Sequence, residues 1–222
     1  MKSMKMLGLA SAILLAAGGA QAAPIVLDFE GLANRALVND FYNGGTDSEG
    51  NSGPNYGISF TSTAIATIDA DAGGTGQFAN EPSPNTVITF LEGGTAIMNV
   101  AAGFDTGFSF FYSSIFNAGS VTVYDGLNGT GNVLATLTLA PLGSDCEGDP
   151  NGDYCAWAPV GVTFSGTARS VDFGGVPNAI GFDDITLYSA TPGVTVPEPG
   201  TLALLGAGLA GLGLVGRNRR AA

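Results

Sequence analysis

Residues Ala179 to Tyr188 read AIGFDDITLY, and this stretch carries the clearest strand pattern in the chain. Up to Phe182 its apolar side chains occupy even positions, and from Ile185 onward they occupy odd positions. Because a regular strand keeps one parity on one face, the pattern slips by one residue at Asp183 and Asp184. A β-bulge there would restore the facing of the core residues and redirect at least one carboxylate. The stretch therefore predicts a bulged strand. Whether the bulge serves a site or is only a polar bulge at a sheet edge stays open at this point.

Ten further runs of the same kind precede this stretch, each alternating in polarity or rich in β-branched and aromatic residues. Turn residues separate the runs at roughly the spacing expected of a sandwich or barrel. The predicted strands are Ile25–Phe29, Tyr56–Phe60, Thr63–Ile68, Thr86–Leu91, Thr95–Val100, Phe108–Tyr112, Ser120–Tyr124, Asn132–Leu139, Val160–Phe164, Ser170–Phe173 and Ala179–Tyr188.

The composition favours the same fold class. The chain has 35 glycines among 222 residues, no lysine between residues 23 and 195, and no sustained helical periodicity. Residues 23–195 are long enough for one domain with a sizeable core. We therefore expect an all-β body that forms a two-sheet, jelly-roll-like sandwich.

The charge of this body is strongly acidic. Arg35 and Arg169 are its basic residues, against eighteen acidic ones, which gives 2 − 18 = −16. Such a surface repels nucleic acid and anionic lipid, so a nucleic-acid-binding function is excluded. The charge suits a solvated extracellular protein, and it also suits a protein that binds divalent cations.

The chain contains no histidine. This excludes the Ser-His-Asp and Cys-His catalytic arrangements and histidine-ligated zinc or iron sites. The main enzymatic option that remains is a pair of carboxylates, as in glycoside hydrolysis. Because no acidic residue lies in a motif that marks it as catalytic, we expect a protein that is not an enzyme.

Carboxylates lie on both the first and the last predicted strand. Asp28 and Glu30 belong to the first strand and its end, and Asp183 and Asp184 to the last. If these strands meet, the carboxylates would repel one another, and a bound calcium ion would relieve that repulsion. The sequence therefore predicts a calcium site that uses Asp183 or Asp184 together with Asp28 or Glu30.

Cys146 and Cys155 are the two cysteines of the chain. In an exported protein such a close pair is most simply a disulfide. The loop between them alternates acidic and amide residues, as part of a calcium loop does, but it lacks the bidentate glutamate of an EF-hand. A solvated acidic loop is the alternative.

Tyr154 and Trp157 are the best candidates for an aromatic sugar-binding platform, although a tryptophan buried in the core explains Trp157 equally well.

The two ends of the chain carry export signals. Residues 1–22 combine a lysine-containing start, an apolar stretch and a small-x-small site, which predicts a signal peptide. Residues 196–222 contain an apolar segment at 201–216, which predicts a single C-terminal transmembrane segment whose following arginines stay on the cytoplasmic side. The body, residues 23–195, would then lie outside the inner membrane. A proline-glutamate-proline triplet, Pro197, Glu198 and Pro199, precedes the segment, and an arginine cluster, Arg217, Arg219 and Arg220, follows it.

This tail resembles the PEP-CTERM sorting signal of Gram-negative bacteria, with the proline-glutamate-proline triplet, the membrane segment and the arginine cluster in the same order. The resemblance implies transient anchoring in the inner membrane and cleavage by exosortase, a membrane-embedded cysteine protease. An ordinary C-terminal membrane anchor is the alternative. The acidic first strand and the closing Phe-Asp-Asp-Ile are also similar to sandwich domains of exported PEP-CTERM proteins and to calcium-stabilised carbohydrate-binding modules.

These observations together predict a protein of the cell surface or extracellular matrix of a Gram-negative bacterium. We expect a non-catalytic binding or structural module that associates with extracellular polysaccharide. The alternative function is a small secreted carbohydrate-active enzyme that uses paired carboxylates.

Overall fold

The computed structural model of the protein describes residues 22–91, 93, 95–145 and 152–194. These residues form eleven strands, and no helix occurs among them. All eleven predicted strands are present in the predicted order, which confirms the all-β prediction. The strands are β1 (Ile25–Leu27), β2 (Ile58–Phe60), β3 (Ala64–Ile68), β4 (Thr86–Phe90), β5 (Thr95–Phe104), β6 (Gly107–Ser113), β7 (Gly119–Tyr124), β8 (Val133–Leu139), β9 (Ala158–Thr163), β10 (Ala168–Gly174) and β11 (Gly181–Leu187).

The strands form two antiparallel sheets. The first sheet has the order β3-β4-β11-β6-β9, and β1 also pairs with β11. The second sheet has the order β2-β5-β10-β7-β8. Strands that follow one another in sequence often lie in different sheets, so the chain crosses repeatedly between the two layers. This arrangement is the two-sheet sandwich that the sequence predicts.

Aromatic rings fill the space between the sheets. Phe110 and Phe182 come from the first sheet and Phe173 comes from the second. The centroid of Phe182 lies 5.0 Å from that of Phe173 and 5.6 Å from that of Phe110, and both pairs meet edge to face. All three side chains are buried. Since each ring removes a large apolar area from water, this cluster is a main source of the sandwich's stability.

The bulge predicted in the last strand is confirmed. In the pairing of β11 with β6, Asp183 lies opposite Phe111 and Thr186 lies opposite Ser109, so β11 contains one extra residue. Asp184 takes a positive φ of 46° at this point. The extra residue brings both Phe182 and Ile185 into the core, as the change of parity requires.

The first strand is shorter than predicted. β1 ends at Leu27, because Phe29 has a φ of 59° that cannot continue a strand. The backbone N–H of Phe29 donates to the hydroxyl oxygen of Tyr42 at 2.8 Å, so a loop residue takes the place of a strand partner. Phe29 itself is fully buried.

The two ends of the body lie side by side. β1 and β11 are antiparallel, with Ile25 opposite Leu187. The chain therefore enters and leaves the sandwich at the same end of the first sheet. No helix in the described part of the chain has the length and apolar character needed to cross a membrane. Residues 1–21 of the predicted signal peptide at 1–22, and all of the predicted transmembrane segment at 201–216, lie outside the described residues.

Candidate functional site

One edge of β11 is shared by two strands. β4 pairs with the first part of β11, where Ile88 lies opposite Phe182. β1 pairs with the second part, where Leu27 lies opposite Ile185. Asp183 lies at the change from one neighbour to the other. We call this place the strand junction, and it holds the four carboxylates singled out in the sequence.

Asp183 is fully buried at the strand junction. Its Oδ2 accepts a hydrogen bond from the backbone N–H of Ser83 at 2.8 Å. Its Oδ1 accepts one from the backbone N–H of Asp184 at 2.7 Å and lies 2.8 Å from Oγ of Ser83. Buried polar groups need such partners, because an unpaired one costs free energy. The segment before β4 therefore satisfies the carboxyl group of β11.

The hydroxyl group of Ser83 lies between Asp183 and the backbone carbonyl oxygen of Asp28. Its Oγ lies 2.8 Å from Oδ1 of Asp183 and 2.9 Å from the carbonyl oxygen of Asp28. A hydroxyl group has one hydrogen, and the carbonyl oxygen can only accept. When Asp183 is ionised, the single hydrogen of Ser83 is shared between the two acceptors, whereas a protonated Asp183 can donate to Ser83 while Ser83 donates to Asp28. Burial raises the pKa of Asp183 to about 7 even though the hydrogen bonds from Ser83 lower it, so the protonated form predominates below about pH 7.

The other carboxylates of the strand junction have different environments. Oε1 of Glu30 accepts hydrogen bonds from the backbone N–H groups of Asn85 and Thr86, both at 2.9 Å. Glu30 thus joins the chain just after β1 to the start of β4. Oδ1 of Asp28 accepts from the N–H of Glu30 at 3.2 Å. Burial and then the charge of Asp28 raise the pKa of Asp184.

The structure thus brings the first and last strands together, as the calcium prediction requires. Within the described ranges, however, no three carboxylate, histidine or cysteine side chains form a group that could hold a metal ion. Hydrogen bonds from the chain itself occupy Asp183 and Glu30. The calcium site remains a prediction.

A melting experiment tests the calcium prediction. If calcium binds at the strand junction, a chelator will lower the melting temperature, because the ion stabilises only the folded state. At a hundredfold excess over the Kd, the stabilisation would be about 2.7 kcal/mol. The variant Asp183→Asn is expected to lose most of this sensitivity. Identical melting curves in calcium and in EDTA would show that the strand junction binds no calcium.

The burial of Asp183 also limits the enzymatic alternative. A carboxylate that cleaves a glycosidic bond must reach the bond and the attacking water. Burial raises the pKa of Asp183 to about 7, as a catalytic acid would need, but none of its surface is exposed. It therefore cannot act as one of a pair of catalytic carboxylates.

The cysteine pair is described only in part. Cys155 is buried, and its Sγ lies 3.8 Å from the carbonyl oxygen of Ser144. Cys146 and most of the acidic loop that follows it lie outside the described residues. The disulfide between Cys146 and Cys155 and the calcium reading of the loop remain predictions.

The two predicted platform residues have different roles. The indole N–H of Trp157 donates to the carbonyl oxygen of Ala79 at 3.0 Å, and the ring packs 6.2 Å from Phe78. Trp157 therefore covers the outer face of the first sheet. Gly181 leaves space there for the two rings, because a Cβ atom at position 181 would lie only 3.1 Å from the ring of Phe78. Tyr154 is half-buried beside them, with its ring centroid 5.7 Å from that of Phe78.

Tyr154 lies at a cleft that the sequence analysis did not identify. The cleft lies over the outer face of β3 and β4 and has a volume of about 190 Å³. Its polar and aromatic lining residues include Arg35, Thr67, Gln77, Thr89, Tyr154 and Asn178. They come from six separate parts of the chain. One feature of the sequence could have indicated the cleft. Thr67 in β3 and Thr89 in β4 are polar residues at outward-facing positions, where apolar residues would also be tolerated.

Residues 195–220 match the family described as the PEP-CTERM protein-sorting motif. The match includes the proline-glutamate-proline triplet at 197–199 and the arginines at 217–220, which confirms the resemblance of the tail. All of these residues lie outside the described part of the structure. No curated protein matches the sequence of the chain.

The body is similar to several solved β-sandwich structures. One is a family 6 carbohydrate-binding module, with 18% identity over 60% of this chain and 86% of that one and a TM-score of 0.37. Another is the K2 cleaved adhesin domain of Lys-gingipain, with 14% identity over 74% of this chain and 97% of that one and a TM-score of 0.41. A third is the family 11 carbohydrate-binding module from Clostridium thermocellum, with 12% identity over 77% of this chain and 98% of that one and a TM-score of 0.35. At these values no binding residue can be transferred to the present chain.

Proposed function

We propose that this chain is an exported bacterial protein whose sandwich is a non-catalytic binding or structural domain of the cell surface or matrix. Exosortase processes its tail, and the released or anchored domain associates with extracellular polysaccharide. The observation that carries this proposal is the PEP-CTERM sorting motif at residues 195–220. The apolar, lysine-containing start of the chain supports the same route.

The arrangement of the strands supports a tethered domain. Because Ile25 lies opposite Leu187, the signal-like start and the sorting tail leave the sandwich from the same end. A domain held in this way can face away from the membrane while either end is still inserted. Its strongly acidic body keeps it solvated and away from anionic lipid.

Loss of the tail signal is expected to stop processing. Deleting residues 197–199, or replacing the arginines at 217, 219 and 220 by glutamine, should leave the full-length chain in the inner membrane. The control Arg169→Gln changes an arginine of the body and should be processed normally. Mass spectrometry of membrane and exported fractions gives the result. An exported protein that still ends at Ala222 would contradict the proposal.

The association with polysaccharide has its own test. In cells that make extracellular polysaccharide, the processed protein is expected in the polysaccharide fraction. In a strain unable to make it, the same protein should appear in the medium. Immunoblotting of both fractions measures the shift. An unchanged distribution in the two strains would show that the protein does not depend on polysaccharide for its location.

A further inference from the structure

We propose that the cleft beside Tyr154 binds one acidic sugar residue, a uronate, of a polysaccharide. This inference rests on the proposed function, because it names the sugar chemistry that the sandwich would recognise. The cleft is distinct from the strand junction and shares none of its four carboxylates. Its volume of about 190 Å³ equals the space of about six waters, which suits one sugar ring rather than a long oligomer.

Thr89 supplies the first observation. Its side chain lines the cleft and is 5% exposed, and its buried Oγ1 has no hydrogen-bond partner among the described residues. Since buried polar atoms almost always have partners, an unpaired hydroxyl group in a cleft wall indicates a ligand that supplies one. Ile65 lies opposite Thr89 in the β3–β4 pairing, so no strand neighbour at that position can provide the missing bond. A sugar hydroxyl group is a matching partner, because it both donates and accepts.

Arg35 supplies the second observation. It is one of two basic residues in a body with eighteen acidic ones, and it lines this cleft. None of the described residues that line the cleft is acidic. The cleft is therefore locally positive on a protein surface that is otherwise acidic, which favours a ligand that carries a negative charge.

The backbone of Arg35 strengthens this observation. Arg35 has a φ of 64°, in the left-handed region where glycine or asparagine costs less than arginine. Its N–H donates to the carbonyl oxygen of Ala66 at 2.8 Å, which holds the residue beside β3. An unfavourable backbone conformation at a cleft is typical of a functional residue. The guanidinium group can bind a carboxylate through two parallel hydrogen bonds.

The remaining lining residues suit a sugar ring. Tyr154 is half-buried and offers an aromatic surface against which the C–H groups of a sugar can pack. Asn178 and Gln77 are exposed at the cleft and carry amide groups that donate and accept hydrogen bonds. The hydroxyl group of Tyr154 already contacts the carbonyl oxygen of Asn178 at 3.5 Å, which joins the two sides of the cleft.

Titration of the purified full-length protein with trigalacturonate tests the inference, with its methyl ester as the uncharged comparison. At about 0.15 M salt, where the acidic surface is largely screened beyond about 8 Å, we expect the acid to bind at least tenfold more tightly than the ester. Arg35→Gln should weaken binding of the acid about tenfold or more. The matched control is Arg169→Gln, since Arg169 donates to the carbonyl oxygen of Ala101 away from the cleft. It should leave the affinity within about twofold of the original.

Thr89→Val separates binding from folding. Valine keeps the shape and removes only the hydroxyl group, so the melting temperature should not fall, whereas the affinity should fall several-fold.

Equal binding of the acid and its ester, or equal losses in the two arginine variants, would overturn the inference. So would the absence of binding at millimolar trigalacturonate. If the protein is processed and stays with the polysaccharide but does not bind the trimer, this inference alone fails. If it remains at the membrane, the proposed function fails.

Discussion

Replacing Phe182 by alanine is expected to destabilise the sandwich by about 3 to 5 kcal/mol. Phe182 is 1% exposed and meets Phe173 of the opposite sheet at a ring separation of 5.0 Å. The truncation removes apolar burial and also leaves a cavity that the neighbouring strands cannot close. Because the free energy of unfolding of a typical domain is about 5 to 15 kcal/mol, the variant should be close to unfolding. Urea denaturation at neutral pH measures the loss.

Phe116 provides the matched control for this experiment. It is the same residue type but is 81% exposed, so Phe116→Ala should change the free energy of unfolding by less than about 0.5 kcal/mol. Comparable losses in the two variants would show that the aromatic cluster between the sheets is not a main source of stability.

The stability of the protein is expected to fall between about pH 4 and pH 7 because of Asp183. The ordinary pKa of this carboxyl group is 3.8, and burial raises the pKa in the folded protein to about 7. Below pH 4 the group is protonated in both states and costs nothing. As the pH rises, the unfolded chain releases the proton first, so the folded state loses stability until its own pKa is passed. The difference between the two pKa values corresponds to a loss of about 4 kcal/mol in the free energy of unfolding. This loss stays constant above pH 7.

Asp183→Asn isolates this effect, because asparagine does not titrate. Subtracting its pH profile from that of the original protein should leave a curve that falls with rising pH. Asp125→Asn should give a difference of the opposite sign, since the hydrogen bonds from Asn132 lower the pKa of Asp125. Denaturation at several pH values gives both curves. A flat difference for Asp183 would mean that it is already ionised in the folded protein over this pH range, which would contradict the raised pKa.

The strand pattern could be predicted from the sequence because it depends on local alternation. All eleven strands and the bulge in β11 follow from side-chain parity, which each short segment expresses on its own. The early end of β1 could not be predicted in this way. Phe29 leaves the strand because Tyr42, thirteen residues later, accepts its N–H, and that contact exists only in the folded domain.

The environment of the four carboxylates was harder to predict. The sequence correctly placed Asp28, Glu30, Asp183 and Asp184 near one another, since the first and last strands pair. It could not show that residues 83–86 cross this place and donate to two of the carboxylates. Their repulsion is therefore relieved at least in part by protons and backbone N–H groups of the chain itself.

The cleft depends even more on long-range contacts. Arg35 and Thr89 are 54 positions apart, and each has an ordinary explanation when considered alone. Only the folded arrangement shows that the arginine lines the same cleft as a tyrosine ring and a hydroxyl group that has no partner among the described residues.

The position of β11 determines how the domain responds to a pulling force. The sorting motif follows β11 in the chain, so a force applied to the C-terminal end reaches the sandwich along this strand. β11 is flanked by β6 on one side and by β1 and β4 on the other. A pull along the strand loads its hydrogen bonds to all three neighbours in shear at the same time, whereas a terminal edge strand pulled sideways would lose them one after another. The domain is therefore arranged to resist extraction from its tail, and its lifetime under load depends on the rate of unfolding.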